Sequence, residues 1–191
     1  MVYDKKVTGK NILCLESHWG GSFKEPKLTV KPILDYITIA RGNRYAYHLG
    51  YTREELTQFL SDIPARDYNL LFMAFHGRPG KITFGMDYKN RLSFNELADI
   101  MGTRFHGYGI HFASCSVLKD NEKDVRDFME KTQVAFVSGY GQGVDYIEGA
   151  LMDTAFLGKW IWYKSASMAF KNIKQAYKDF IKENKFIWYL Q

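Results

Sequence analysis

A histidine and a cysteine stand at the ends of two apolar runs in this sequence. The first run, Asn69-Leu-Leu-Phe-Met-Ala-Phe, stops at His76-Gly77, and the second, Tyr108-Gly-Ile-His-Phe-Ala, stops at Ser114-Cys115-Ser116. A cysteine attacks as its thiolate, and a nearby imidazole can take the thiol proton and later return it to a leaving amine. The two residues are 39 apart in sequence, room for a hairpin, a helix and the crossover that sets two parallel strands side by side. Neighbouring strands lie about 4.8 Å apart, so side chains from the two tips can meet. Gly77 leaves the main chain after the histidine open to close approach, which suits an amide that binds an oxyanion. Each residue alone has a simpler reading, since a buried thiol is usually a small hydrophobe and a strand-end histidine a satisfied polar group. Their joint placement gives the chemistry its weight.

The elements that must position this pair follow from apolar periodicity and its punctuation. Residues 11–15 read as a short buried strand, broken by Glu16-Ser-His-Trp-Gly-Gly. Residues 28–40 have helical spacing with Pro32 in the first turn, and Arg41-Gly42-Asn43 ends them. A strand over 45–49 leads into Thr52-Arg-Glu-Glu55, a capping box that opens a helix to about Ser61. After the first anchor run, 81–85 and 87–91 look like a surface hairpin. Ser93-Phe-Asn-Glu96 is a second capping box, whose helix stops at Gly102 in the left-handed conformation. Asp120 or Asn121 caps a helix through Thr132. Residues 134–137 form a strand that Ser-Gly-Tyr-Gly-Gln-Gly breaks. Asp145 precedes an apolar helix over 147–162, Ser165 or Ser167 starts a last helix, and 186–190 can add an edge strand.

Apolar strands alternating with helices predict βαβ units and a three-layer α/β/α sandwich, a mostly parallel sheet with helices on both faces. In such sheets ligands gather outside the carboxyl ends of the strands, where the strand order reverses. Glu16, His18, His76, Cys115 and Asp145 all fall there.

A length of 191 residues fits one domain, 1–191. With 46% hydrophobic and 25% charged residues the chain has a globular composition. The net charge of +5 falls short of a concentrated nucleic-acid footprint. The lysines at 171, 174, 178, 182 and 185 read as a solvated helix face. No apolar run reaches membrane length and the start lacks a secretory core, so the expectation is a cytoplasmic protein with neither membrane nor nucleic-acid partners. Two cysteines are too few for a disulfide framework or a zinc cluster. The parallel sheet places a strand between Cys14 and Cys115, which leaves Cys115 a free thiol.

Phe75-His76-Gly77 after one apolar strand and Ala113-Ser114-Cys115-Ser116 after the next resemble the caspase-like cysteine peptidases, the group that holds caspases, gingipains, clostripain, separase and the bacterial CHAT peptidases. Leu92-Ser-Phe-Asn-Glu-Leu97 is similar to the helix start that CHAT members place between the two strands. Val137-Ser-Gly-Tyr-Gly-Gln-Gly-Val-Asp145 is similar to their strand and loop after the nucleophile. The resemblance implies a caspase-like fold and peptide-bond hydrolysis, with Cys115 as nucleophile, His76 as general acid and base, and the amides of Gly77 and Cys115 as oxyanion donors. It implies a peptide or protein substrate, room for an activating partner protein, and neither a metal nor an organic cofactor. Members that cut after arginine or lysine line their primary pocket with carboxylates from the loops after the first and later strands. Glu16 and Asp145 hold such positions here, with His18 beside them as a further substrate-binding candidate. Two features depart from the caspase pattern: residue 114 is serine where caspases carry alanine, and no long loop for internal cleavage follows Cys115. Two other readings stay open, a catalytically inactive interaction module of the same fold and a flavodoxin-like nucleotide-binding domain.

Overall fold

The computed structural model describes residues 9–19, 28–50, 52–84 and 89–191. The Gly20-Gly21 pair and the 85–88 tip of the expected hairpin lie outside the described residues.

The chain runs through β1 (Ile12–Glu16), α1 (Lys31–Arg41), β2 (Tyr45–Leu49), α2 (Arg53–Asp62), β3 (Leu70–Ala74), β4 (His76–Arg78), β5 (Lys81–Thr83), β6 (Arg91–Ser93), α3 (Phe94–Met101), β7 (Gly109–Phe112), α4 (Glu122–Thr132), β8 (Phe136–Tyr140), α5 (Tyr146–Trp162), α6 (Ala166–Ala176), α7 (Lys178–Asn184) and β9 (Phe186–Leu190). Six strands form the main sheet in the order β2-β1-β3-β7-β8-β9. All its pairings are parallel except that of β9, which returns antiparallel along β8. The strand β3 separates β1 from β7, and both Cys14 and Cys115 are free thiols.

Because successive strand residues point to opposite faces, each central strand feeds two cores. Leu13, Leu15, Leu71, Met73, Ile110 and Phe112 pack with residues of α2, α3 and α4. On the other face Ile12, Cys14, Leu70, Phe72 and Ala74 pack with residues of α1, α5 and α6. Layers of helix, sheet and helix follow directly, the three-layer sandwich that the alternation of strands and helices predicts.

Both capping boxes are present: Thr52 Oγ1 accepts from Glu55 N at 3.1 Å, and Ser93 Oγ accepts from Glu96 N at 3.4 Å. Four details differ from the sequence-based expectation. Gly102 has φ 50° and ψ −145°, a positive φ outside the left-handed helical region. The strand expected over 134–137 is β8, which continues through Ser138 and Gly139 to Tyr140. Ladders to β7 on one side and β9 on the other override the local turn signal. The last helix divides at Tyr177, whose φ of −131° interrupts it between α6 and α7. Finally, the first anchor run ends at Ala74. His76-Gly77-Arg78 forms β4 of a separate antiparallel sheet, β4-β5-β6, joined to β5 by the two-residue turn Pro79-Gly80.

Candidate active site

The register of the sheet sets the two tips at one height. Met73 stands opposite Phe112, and His76 and Cys115 each follow three residues later. Past the ladder the two chains remain tied. Ala113 N donates to Met73 O at 3.0 Å. Ser114 Oγ, buried between them, accepts from Phe75 N at 3.2 Å and donates to Met73 O at 3.3 Å. At Gly77 the main chains touch: a Cβ there would overlap the carbonyl oxygen of Cys115 and the Cγ2 of Val117. Any side chain at 77 would therefore push the two tips apart. Gly77 also faces Ile82, one step along the ladder from the Arg78–Lys81 pair that closes the turn. Antiparallel pairs alternate, and a two-residue turn closes on a hydrogen-bonded pair, so the Gly77 amide points out of the small sheet.

Cys115 is half-buried on the turn after β7. Its Sγ lies 3.4 Å from Val144 N and 3.5 Å from Val144 O. Ser116 follows with φ 58°, a left-handed conformation that costs a residue other than glycine about 1–3 kcal/mol and needs firm support. That support comes from the end of β8 and the segment after it: Leu118 N donates to Tyr140 O at 3.0 Å and Ser116 N to Gln142 O at 2.8 Å. On the histidine side, the His76 Nε2 lies 3.2 Å from Trp19 O. A carbonyl only accepts, so Nε2 carries the hydrogen, and in the neutral ring Nδ1 holds the lone pair. The Trp19 indole meets the same ring edge to face, with centroids 5.3 Å apart.

Beside Cys115 opens a small pocket with a cavity volume of about 60 Å³, whose walls include Trp19, Tyr140, Val144, Asp145, Tyr146 and Asp153. Asp145 is exposed at its rim. Its Oδ1 caps α5, accepting from Ile147 N at 2.8 Å and Glu148 N at 3.4 Å. His18 is half-buried on the segment after β1 and is not among the residues that line this pocket. Glu16 does not fit its expected place in substrate binding. Its carboxylate is 1% exposed and accepts four hydrogen bonds, from Trp19 Nε1 at 2.5 Å, Val30 N at 2.9 Å, Thr29 Oγ1 at 2.7 Å and the Tyr47 hydroxyl at 2.5 Å. Four donors fill the roughly four lone-pair sites of a carboxylate, so no acceptor is left for a substrate cation.

Sequence reasoning passed over a second polar cluster behind the pocket. His111 Nε2 lies 2.9 Å from Asp153 Oδ1, its Nδ1 lies 2.9 Å from Ser138 Oγ, and the Tyr140 hydroxyl donates to the same Asp153 oxygen at 2.5 Å. Burial, and then the Asp153 charge, push the Tyr140 phenol well above its ordinary pKa, which keeps it a donor. Ser138, His111 and Asp153 are linked in the order of a serine hydrolase triad, with the roles of the two ring nitrogens exchanged. Yet Ser138 and His111 have no exposed surface, so no substrate reaches the Ser138 hydroxyl and the cluster is structural, with only Tyr140 and Asp153 reaching the pocket wall. One signal was available: an aspartate in the middle of an apolar-rich helix, which burial tolerates only with partners. Among the described residues no group of three or more His, Cys, Asp or Glu side chains could hold a metal ion. No helix among them is long and apolar enough to cross a membrane.

The likeness to known folds agrees with this architecture. The solved "structure of pro-sf-caspase-1" superposes with a TM-score of 0.52 at 7% identity, covering 93% of this chain and 86% of that one. At that identity the match shows the fold alone, and the fold is a caspase-like α/β sandwich. The chain itself belongs to the family described as "Family of unknown function (DUF6642)", which matches residues 9–189. No curated protein matches the sequence.

Proposed function

We propose that this chain is a cysteine endopeptidase that hydrolyses peptide bonds with a Cys115–His76 dyad, cutting after a basic residue. One observation carries the reading: two tips of equal register, one bearing an imidazole and the other a half-buried thiol, touch at Gly77 beside an open pocket. His76 takes the Cys115 proton as Sγ attacks the scissile carbonyl. The resulting oxyanion is held by the outward amide of Gly77 and the amide of Cys115. When the intermediate collapses, the C–N bond breaks and His76 passes its proton to the leaving amine, leaving a thioester. Water, with His76 as base, then cleaves the thioester, frees the acid and restores the thiol. The preference for a cation rests on Asp145 at the pocket rim and Asp153 in its wall, with Trp19, Tyr140 and Tyr146 as aromatic surfaces that attract cations.

The test is turnover of fluorogenic arginyl, lysyl and aspartyl peptides together with labelling by a thiol-directed covalent probe. The expected result is cleavage of the basic substrates and probe modification of Cys115, both abolished in Cys115→Ala. Absence of both in the intact protein would sink the reading.

A second reading, a module of the same fold that holds a peptide without cutting it, is favoured by the Val144 main chain lying against Sγ. An activating partner that shifts the 141–145 segment would release the thiol. Probe labelling that appears only when such a partner is added separates this resting state from an enzyme active alone.

A further inference from the structure

The structure removes Glu16 from substrate binding and gives its carboxylate another task. The four donors come from three places: the segment just after β1, the start of α1, and β2. Oε1 takes Trp19 Nε1 and Val30 N, while Oε2 takes Thr29 Oγ1 and the Tyr47 hydroxyl. Hydrogen bonds to a charged acceptor are about twice as strong as neutral ones. Burial, and next the bond to Glu16, raise the Tyr47 phenol, so it stays a donor wherever thiolate chemistry operates. Thr29 is held a second way, since its carbonyl accepts from the Tyr146 hydroxyl at 2.6 Å and its amide donates back to that oxygen at 3.1 Å. The Tyr146 ring meets the Trp19 ring at 6.4 Å. Glu16 therefore pins residue 19 on one side and residues 29 and 30 on the other.

Trp19 belongs to neither strand nor helix, so no ladder fixes its carbonyl. That carbonyl is nonetheless the partner of His76 Nε2. We infer that Glu16 is a positioning residue for His76, acting through the Trp19 indole: the bond to Nε1 fixes residue 19, its carbonyl holds the Nε2–H tautomer, and Nδ1 is kept free to take a proton. This inference rests on the reading of Cys115 and His76 as the reacting pair.

Trp19→Phe isolates the link. It deletes the indole donor while keeping an aromatic ring against His76, the Trp19 carbonyl, and the other three donors to Glu16. The measurements are the ring tautomer of His76 by nitrogen-15 NMR, the rate of Cys115 alkylation against pH, and the split of kcat from KM. Expected are a dominant Nε2–H tautomer in the parent protein and mixed tautomers in Trp19→Phe. A fall in kcat of roughly tenfold or more should accompany them, as misplacement of a reacting group produces, with an altered alkylation pH profile, little change in KM and little change in Tm. Glu16→Gln should give the same tautomer mixing with a larger loss of Tm, and it carries the test if Trp19→Phe does not fold. Parent-like tautomer, kcat and pH profile in a folded variant would overturn the inference and leave Glu16 a purely structural anchor. If the parent protein neither cleaves peptides nor alkylates at a His76-dependent rate, the peptidase reading fails on its own. The tautomer measurement still decides the role of Glu16.

Discussion

Two histidines on neighbouring parts of this fold, His76 and His111, have nearly the same ingredients around them and opposite prospects. Each has at least one aromatic ring against it and a buried carboxylate behind it. His111 lies inside β7, stacked on Phe156 at 4.7 Å and tilted against Phe72 at 5.0 Å, with both nitrogens committed to Ser138 and Asp153. His76 lies beyond the sheet, half-buried, with one nitrogen on a main-chain carbonyl. Glu16 stands behind that carbonyl instead of touching the ring. A general base needs a vacant nitrogen and a proton donor within reach, and only His76 can offer the first. Acid, imidazole and hydroxyl in the right order are thus insufficient; chemistry depends on which of them the fold leaves uncommitted and open to solvent.

The largest effects should come from exchanging the fates of the two rings. His76→Ala should lower kcat by about 10²- to 10⁴-fold, the span that loss of a general acid-base group produces, with Tm close to the parent by circular dichroism. His111→Ala should do the reverse. It leaves Asp153 with one donor fewer and a void among Phe72, Phe156 and Phe186, a loss of about 3 kcal/mol in stability by chemical denaturation, while the folded fraction still turns over. A His111 variant that loses turnover at unchanged stability would break the comparison and place the buried cluster in the reaction.

A smaller effect separates the two aspartates of the pocket. Asp153→Asn keeps shape and an acceptor for Tyr140 but removes the charge. It should reduce kcat/KM on arginyl and lysyl peptides by roughly tenfold or more, as expected for loss of a charge partner in a desolvated site, and leave a neutral peptide nearly unaffected. Asp145→Asn should cost only a few-fold, because asparagine caps a helix about as well as aspartate and the rim is exposed. Equal losses on charged and neutral peptides would mean that Asp153 supports the fold without reading the substrate.

The fold was legible because its rules are local: continuous apolar runs, two capping boxes and helices of ordinary length fixed the layers and placed His76 and Cys115 at strand tips. What the sequence concealed was commitment. Glu16 and Asp145 look alike as carboxylates at strand ends, but the donors that saturate Glu16 come from residues 19, 29, 30 and 47, which only the folded sheet and the start of α1 bring together. His111 hid inside an apolar run for the same reason, since its partners arrive from β8 and α5. The continuation of β8 through Ser138 and Gly139 was missed because pairing on both sides outweighs a turn signal that local reading treats as decisive.

The smallest predicted effect tests whether carboxylates away from the pocket stay out of its chemistry. Glu96 closes the capping box of α3: its Oε2 accepts from Ser93 N at 2.9 Å and from Ser93 Oγ at 2.8 Å, and Oε1 pairs with Arg53 at 2.7 Å. The Ser93 backbone bond first, then its side chain and Arg53, lower its pKa from 4.5 to about 2. A carboxyl depressed by folding contributes stability that is present above its unfolded value and is lost as pH falls through the folded one. The contribution of Glu96 is therefore present in full above about 4.5 and fades toward about 2. Because 41% of the Glu96 side chain is exposed, solvent screening keeps it small. Ser93→Ala should lower stability at neutral pH by about 1 kcal/mol, the usual cost of a lost cap. The gap from the parent should narrow as the pH falls through about 2, below which Glu96 is protonated in both. Turnover per folded molecule should not change at neutral pH. A Ser93→Ala protein that loses kcat while keeping its Tm would show that α3 communicates with the Cys115 tip, and the division between committed and vacant groups would have to be redrawn.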